Sequence, residues 1–373
     1  MKKNIEAFMR YHQAKESLAE YTQIGAAAIQ LLKLNVSVKN GSRLLGQFVD
    51  ACEVTHWGEG KRFPNPVDKT QEIGEMLCNH VLVQQISAFD LFSKSVLADF
   101  VRFSDWARKH CPQLKHEHTL VQMSPQGRWV VSSCCNEVGN KLTDLKSRLS
   151  EISSMTNWKI STDLVEIEPL FHLARLCRNR IAHSDGIVGS ELEDFAKSRE
   201  VLDAHNKFRE KYARAELPPL PNLIRGNRIV LSPENSIYFG AVLYEFAKSI
   251  NIYMCEKLTE KEFVEMGFFY SCLVETHSGR VIRHRDAVGR INYFLTERYL
   301  FKETSKLKEV SFYLKDKIFN YKGKDMKETT YWKIALARHE ILHALEKPRS
   351  PATKIVNAKR NQHAKTPTSH TAK

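Results

Sequence analysis

The sequence predicts a mainly α-helical protein, and three observations carry that prediction. Apolar residues recur at helical spacing over long stretches: Leu82, Ile86, Phe89, Val96 and Phe100 follow one another at intervals of four, three, seven and four, which places them on one helix face. Prolines and glycines collect between such stretches, as at 57–67, where Gly58, Gly60, Pro64 and Pro66 define a loop. Strand-like sequence is scarce, with Ile229-Val230-Leu231 reading as a short extended piece after the turn-forming Arg225-Gly226-Asn227-Arg228.

In chain order, residues 3–34 read as a helix with Ile5, Phe8, Ala14, Leu18 and Tyr21 as its apolar stripe, and Asn40-Gly41 breaks the chain after it. A second helix is expected over 44–54 and a long one over 72–103. Residues 104–140 are less regular, hold Pro112, Pro125 and Gly127, and form a candidate insertion. An amphipathic helix follows over 142–152. Pro169 suits the first turn of a helix that runs to His183, with Glu166 and Glu168 near its positive end and Ser184-Asp185-Gly186 as its stop. Pro233 opens a long helix through Cys255, with Val242, Leu243, Phe246, Ile250 and Tyr253 as its buried stripe. Beyond Leu258 the chain is again mostly helical, with 268–282 open between helix and a hairpin at Ser278-Gly279. From Lys347 onward there are seven Lys/Arg and no acid in a Pro/Thr/Ser/Ala-rich setting, the composition of a disordered basic tail.

At 373 residues the chain exceeds what one core usually accommodates, and 42% hydrophobic content is enough for real cores. The expected division is a helical N-terminal region (1–70), a helical domain (71–258), a basic and mostly helical C-terminal domain (259–346) and the tail (347–373). The net charge of +13 is unevenly spread: residues 1–258 carry 33 Lys/Arg against 30 Asp/Glu, and residues 259–373 carry 23 against 13. Such a basic segment suits a polyanion, nucleic acid first and an anionic membrane surface second. None of the eight cysteines forms a C-x-x-C pair, residues 1–12 lack the apolar core of a signal peptide, and no apolar run is long enough to span a bilayer. The expectation is a cytoplasmic protein with free thiols and no membrane association.

The leading site candidate is Arg178-Asn179-Arg180-Ile181-Ala182-His183. The spacing alone is weak, because Arg199 and His205, and Arg338 and His343, stand in similar relation. Its context is stronger. Asn179 lies four residues before His183, so their side chains are neighbours on a helix, and the helix stop follows at once. A His at a helix end can trade protons near neutral pH, and an Arg presents a permanent planar cation to a phosphate. These residues resemble the signature of HEPN domains, helical bundles in which an Arg, a polar residue and a later His form a ribonuclease site. Some members carry an acid and a Lys on an earlier helix, and Asp90-Leu91-Phe92-Ser93-Lys94 is similar to that pattern, with Asp in place of the commoner Glu. The resemblance covers roughly residues 72–258.

The resemblance implies a HEPN-like bundle with an N-terminal helical extension and a basic C-terminal helical region. It implies metal-independent cleavage of RNA without a cofactor, by attack of the ribose 2′-hydroxyl on the adjacent phosphate. His183 would handle protons, Arg178 would stabilise the phosphorane, Asn179 would orient the His or hold a phosphate oxygen, and Asp90 and Lys94 would brace the site. It further implies a homodimer with a composite active site, a regulatory or antitoxin partner, and a role as a toxin or in antiviral defence by abortive infection. The alternative is a non-catalytic HEPN-like module that binds RNA or a partner protein.

Other constellations weigh less. His339-Glu340-Ile341-Leu342-His343 matches H-E-x-x-H, yet no third zinc ligand follows at a workable distance. Cys111 with His110, His116 and His118 fits no standard metal spacing. Arg280, Arg283, Arg285, Arg290 and Arg298 interleave with Tyr293, Phe294 and Tyr299, a mixture that can hold phosphates and stack bases. From this region Arg283, Arg285 and Arg290, together with Arg180 beside the motif, are the candidate nucleic-acid contacts.

Overall fold

The computed structural model describes residues 3–37, 41–51, 64–111, 121–123, 129–131, 147–212, 216–268, 270, 289 and 291–301. These residues are mainly helical. The two longest helices are α1 (Glu6–Val36) and α3 (Pro66–Phe103), joined through α2 (Gly41–Ala51). Helix α3 starts earlier than the periodicity alone suggests, because Pro66 itself stands in the first turn, where its missing N–H costs nothing. After α4 (Asp105–His110), the candidate insertion contributes an antiparallel hairpin, β1 (Val121–Met123) with β2 (Trp129–Val131). Then come α5 (Arg148–Thr156), α6 (Thr162–Val165), α7 (Glu168–His183), α8 (Ser190–Ala196), α9 (Arg199–Tyr212), α10 (Pro233–Glu256), α11 (Glu260–Phe268) and a π-helical turn at Phe294–Arg298.

Side-chain contacts fix the directions of the long helices. Phe8 meets Phe92 at 6.2 Å and Tyr11 meets Phe89 at 6.0 Å, while Lys33 donates to Gln71 at 2.8 Å, so α1 and α3 run antiparallel. Helix α10 opens with a capping box, in which Ser232 Oγ accepts from the Asn235 N–H at 3.1 Å and Asn235 Oδ1 accepts from the Ser232 N–H at 3.3 Å. It runs parallel to α3: Ser236 donates to the Cys78 carbonyl at one end, and Ser104 donates to the Lys257 carbonyl at the other. The two helices pack closely where α10 carries Gly240, since a Cβ there would lie 2.6 Å from Gln85 Nε2. Phe171 of α7 lies against Phe89 at 5.3 Å and Phe246 at 5.4 Å, which ties α7 to both. Burial of such rings, about 1.5–3 kcal/mol each, is the main force holding α1, α3, α7 and α10 together.

The residues on either side of the expected boundaries at 70 and 258 pack into one buried cluster. Ile5, Phe8 and Tyr11 of the N-terminal helix join it, as do Phe263, Met266, Ile291, Phe294, Tyr299 and Phe301. Of the stripe expected on α1, Ile5 and Phe8 are buried, Ala14 and Leu18 are half-buried, and Tyr21 is exposed, because the helix turns that residue away from α3. Helices α8 and α9 have no counterpart in the order expected from sequence. Helix α9 buries Val201, Ala204 and Phe208, which stand three and four residues apart, so a helical signal was present there among otherwise polar positions.

A buried polar cluster fastens the start of α1 to the chain beyond α11. Glu6 is fully buried and accepts from Arg10 at 2.8 Å and from Arg298 at 2.7 Å. Arg298 is therefore engaged in the core. Phe294 and Tyr299 are buried as well, so of this aromatic set only Tyr293 presents its ring to solvent. Phe294 and Tyr299 were candidates for base stacking; their apolar faces are consumed by packing instead.

Asp99 lies in the same cluster, facing Arg102, Tyr270, Glu6 and Arg10, and burial pushes its carboxyl from 3.8 up to about 6. The Tyr270 hydroxyl donates to it and Arg102 lies 3.4 Å away, but desolvation outweighs both. A carboxyl whose folded pKa is raised contributes stability below its unfolded value, 3.8 here, and loses it as pH climbs through about 6. The expected outcome is that Asp99→Asn is more stable than the parent at neutral pH and no more stable below pH 3.8, in urea titrations at both conditions. A variant less stable at neutral pH would show that the charge is favourable where it sits.

Candidate functional site

The motif occupies the last turns of α7. Leu170, Phe171, Leu173, Ala174 and Cys177 face the core; Arg178, Asn179 and Arg180 are half-buried, and His183 is exposed. The helix ends where the sequence places the stop. The N–H groups of Ser184 and Gly186 both donate to the Arg180 carbonyl, at 2.9 and 3.0 Å. Asp185 (φ 50°) and Gly186 (φ 74°) take left-handed conformations, which Gly adopts without penalty and Asp tolerates.

The loop after the motif is sewn down on both sides. Gly186 O accepts from the Ile229 N–H at 2.8 Å, the Val188 N–H donates to Asn227 O at 2.9 Å, and the Gly226 N–H donates to Val188 O at 3.0 Å. Ile187 and Arg228 pair as an antiparallel bridge, so the piece expected to be extended is partly so. From α3, Asn79 donates to the Ile229 carbonyl at 2.9 Å. The motif end of α7 thus rests on a fixed platform, which a site needs if side chains are to be held in a productive geometry.

Within the motif, Arg178 Nη1 donates to Asn179 Oδ1 at 3.0 Å. Arg178 Nε is buried and has no hydrogen-bond partner among the described residues. His183, one turn on from Asn179, makes no hydrogen bond or ion pair among the described residues. Asn179 therefore joins two faces of the helix, taking Arg178 from one and standing beside His183 on the other. Arg178, held by Asn179, and the exposed imidazole of His183 put a permanent cation and a proton carrier at one helix end, the pair of groups an RNA phosphate would need.

Other residues of similar type are spent on structure. His172 pairs with Glu168 at 3.3 Å on the same helix. His205, the partner in the competing Arg199 spacing, bonds the Tyr238 hydroxyl at 3.0 Å, and burial pushes its pKa down. Arg199 is exposed and pairs with Asp203. Burial pushes the Cys177 thiol up to about 12, which removes it as a nucleophile next to the motif.

Arg180, a candidate nucleic-acid contact, has a local packing partner. Its guanidinium lies on Gly189, the N-cap of α8, where a Cβ would come within 2.7 Å of Nη2 and 2.9 Å of Cζ. The atoms in the way are the far end of a flexible side chain. Gly189→Ala is therefore expected to displace the Arg180 head while changing stability by less than about 1 kcal/mol, as read from a thermal melt. A larger loss would mean that Arg180 is held far more rigidly than this contact implies.

Asp90 and Lys94 form an ion pair at 3.1 Å, and Asp90 also accepts from Arg148 of α5. Arg148 is almost fully buried, and its Nε and Nη1 lack partners among the described residues. Sequence reading missed this residue, although an Arg between core positions in the expected helix 142–152 is the signal that would have found it. The cluster sits beside the first half of α7, since the neighbouring Phe89 meets Phe171, seven residues before Arg178. With antiparallel helices and a rise of 1.5 Å per residue, that places it about 10 Å along the axis from Arg178 and further from His183. Within one chain Asp90 bonds Lys94 and Arg148, and among the described residues neither Asp90 nor Lys94 makes a bond to the motif. Truncating Asp90 to Ala is expected to cost about 1–3 kcal/mol in chemical denaturation, because it strands the buried Arg148; an unchanged midpoint would show that Arg148 finds another acceptor.

The remaining candidates are quickly placed. Arg283, Arg285, Arg290, His116, His118, the His339-to-His343 motif and residues 347–373 lie outside the described residues. Cys111 is buried, while His110 is exposed and bonds the Trp106 carbonyl. Among the described residues no group of His, Cys, Asp and Glu is arranged to hold a metal ion, and no helix is long and apolar enough to cross a membrane. No family model, curated protein or solved structure matches this chain.

Proposed function

We propose that the protein is a metal-independent endoribonuclease of the HEPN kind, acting on RNA in the cytoplasm as a toxin or an abortive-infection defence effector. The observation that carries the reading is the trio at the end of α7: an exposed, uncommitted His183, Asn179 one turn before it, and Arg178 bonded to that Asn with a buried donor left over. In the reaction, the ribose 2′-oxygen loses its proton and bonds to the adjacent phosphorus. The bond from phosphorus to the 5′-oxygen breaks, and that oxygen takes up a proton. The products are a 2′,3′-cyclic phosphate and a 5′-hydroxyl. One group must accept a proton and another must give one. Arg178 supplies positive charge to the crowded phosphorane.

Among the described residues one chain brings a single imidazole to this place, so a homodimer with a composite site, two His183 residues facing one phosphate, meets the requirement for acid and base together. Asp90 and Lys94 act at a distance in this scheme, by fixing Arg148 and α3 against α7. The test is incubation of purified protein with tRNA and mRNA, with and without EDTA. Cleavage that survives chelation supports the proposal. Binding without cleavage would favour the non-catalytic RNA- or protein-binding module, and neither binding nor cleavage would remove both.

A further inference from the structure

Helix α1 carries an apolar face that nothing in the described chain covers. Tyr21 (54% exposed), Ile24 (71%), Leu31 (62%) and Leu34 (61%) stand out from it, with Ala27 and Ala28 exposed between them. No charged residue occurs from Tyr21 to Leu32, which is foreign to an ordinary solvent-facing helix. The inner side of the same helix packs on α3, with Gly25 against Leu77 and Ile29 against Gly74. The uncovered face is therefore a second stripe, turned away from α3.

The spacing of this stripe is symmetric about the bond between Ala27 and Ala28. Ile24 and Leu31 stand three residues outside that pair, Tyr21 and Leu34 six, and the first polar residues beyond, Glu20 and Asn35, stand seven outside. At 100° per residue, Ile24 and Leu31 fall on the centre line of the face, Ala27 and Ala28 to either side of it, and Tyr21 and Leu34 at its two edges. A two-fold axis through that centre sets every large apolar residue of the stripe against another one, because an isologous contact pairs each residue with its mirror position in the other copy. We infer that a second copy of this chain docks here, α1 against α1 antiparallel. Ile24 then meets the other copy's Leu31, Tyr21 meets its Leu34, and the alanines let the helices approach closely at the crossing. Glu20 and Asn35 close the ends as a carboxylate and an amide donor.

The area suffices. With roughly 100 Å² exposed on each large side chain, the two copies together bury on the order of 1,000 Å², the lower bound for a specific contact. The surface is separate from the motif end of α7, so the inference does not rest on the nuclease reading, and it neither needs nor forbids a further contact between motif helices.

The test is the mass of the full chain by sedimentation equilibrium. The wild type is expected to be an even-numbered assembly of the 43.0 kDa chain. Ile24→Lys alone and Leu31→Glu alone are each expected to halve the assembly mass, by placing a charge against an apolar partner. The double variant is expected to recover it, because Lys at 24 then faces Glu at 31 of the other copy. Leu91→Glu, on an exposed position of α3, is the control and leaves the mass unchanged, and circular dichroism melts establish that every variant is folded. A wild type of 43.0 kDa at all concentrations overturns the inference. So do single variants of unchanged mass, or a double variant no heavier than the singles. Loss of vesicle binding by the single variants without a change of mass would assign the face to a membrane surface and likewise overturn it.

Discussion

His183→Ala is expected to lower the rate of RNA cleavage by about 10²–10⁴-fold and to leave the protein folded. The side chain is exposed and makes no internal bond among the described residues, so its removal disturbs stability by less than about 0.5 kcal/mol. Activity and fold are thereby separable at this position, which is seldom so for a buried catalytic group. Arg178→Ala is expected to cost a comparable factor, about 10²–10³, through loss of charge at the phosphorane. Arg178→Lys should not restore it. A lysine ammonium is a point charge, and it cannot hold Asn179 Oδ1 and present further donors to a phosphate in one plane. Single-turnover cleavage of a labelled RNA, alongside a thermal melt, measures both quantities. Normal cleavage by both alanine variants would end the assignment of the motif as the active site.

The second large effect is on stability. Phe89→Ala is expected to destabilise the protein by about 3–5 kcal/mol. The ring is fully buried and touches Tyr11 of α1 at 6.0 Å, Phe92 at 5.9 Å and Phe171 of α7 at 5.3 Å. Removing it opens a cavity where α1, α3 and α7 meet, and those helices cannot all close in at once. Since Phe171 lies two turns before Arg178, the same variant is expected to loosen the motif helix and lower cleavage further than its loss of folded population explains. Urea denaturation gives the first quantity. A cost below about 1 kcal/mol would contradict the packing described for these rings.

The long helices were legible because their apolar stripes are long and their ends are marked. Pro66, Pro169 and Pro233 stand in first turns, Ser232 and Asn235 form the cap of α10, and Ser184-Asp185-Gly186 ends α7. The short helices α6 and α8 were not legible, since they offer too few buried positions to set a period, whereas α9 was missed although Val201, Ala204 and Phe208 stand at helical spacing. Sequence also gave no means of knowing that Ile5 and Phe301 belong to the same buried cluster, because that depends on which faces meet. At the site, the one-turn relation of Asn179 and His183 could be read from spacing. The Arg178–Asn179 bond, the strap from 226–229 and the engagement of His205 by Tyr238 could not, since each depends on a side-chain direction or a distant segment. Asp90 and Lys94 show the opposite case: their spacing matched a pattern, while their position along α3 set them beside Arg148 and two turns from Arg178.

The most direct test of the central claim is the chemistry of the RNA ends left by the pure protein in the presence of EDTA. A 2′,3′-cyclic phosphate and a 5′-hydroxyl, absent when His183 is alanine, are the predicted result. Ends bearing a 3′-hydroxyl and a 5′-phosphate, or cleavage that stops on chelation or persists unchanged without His183, would contradict it.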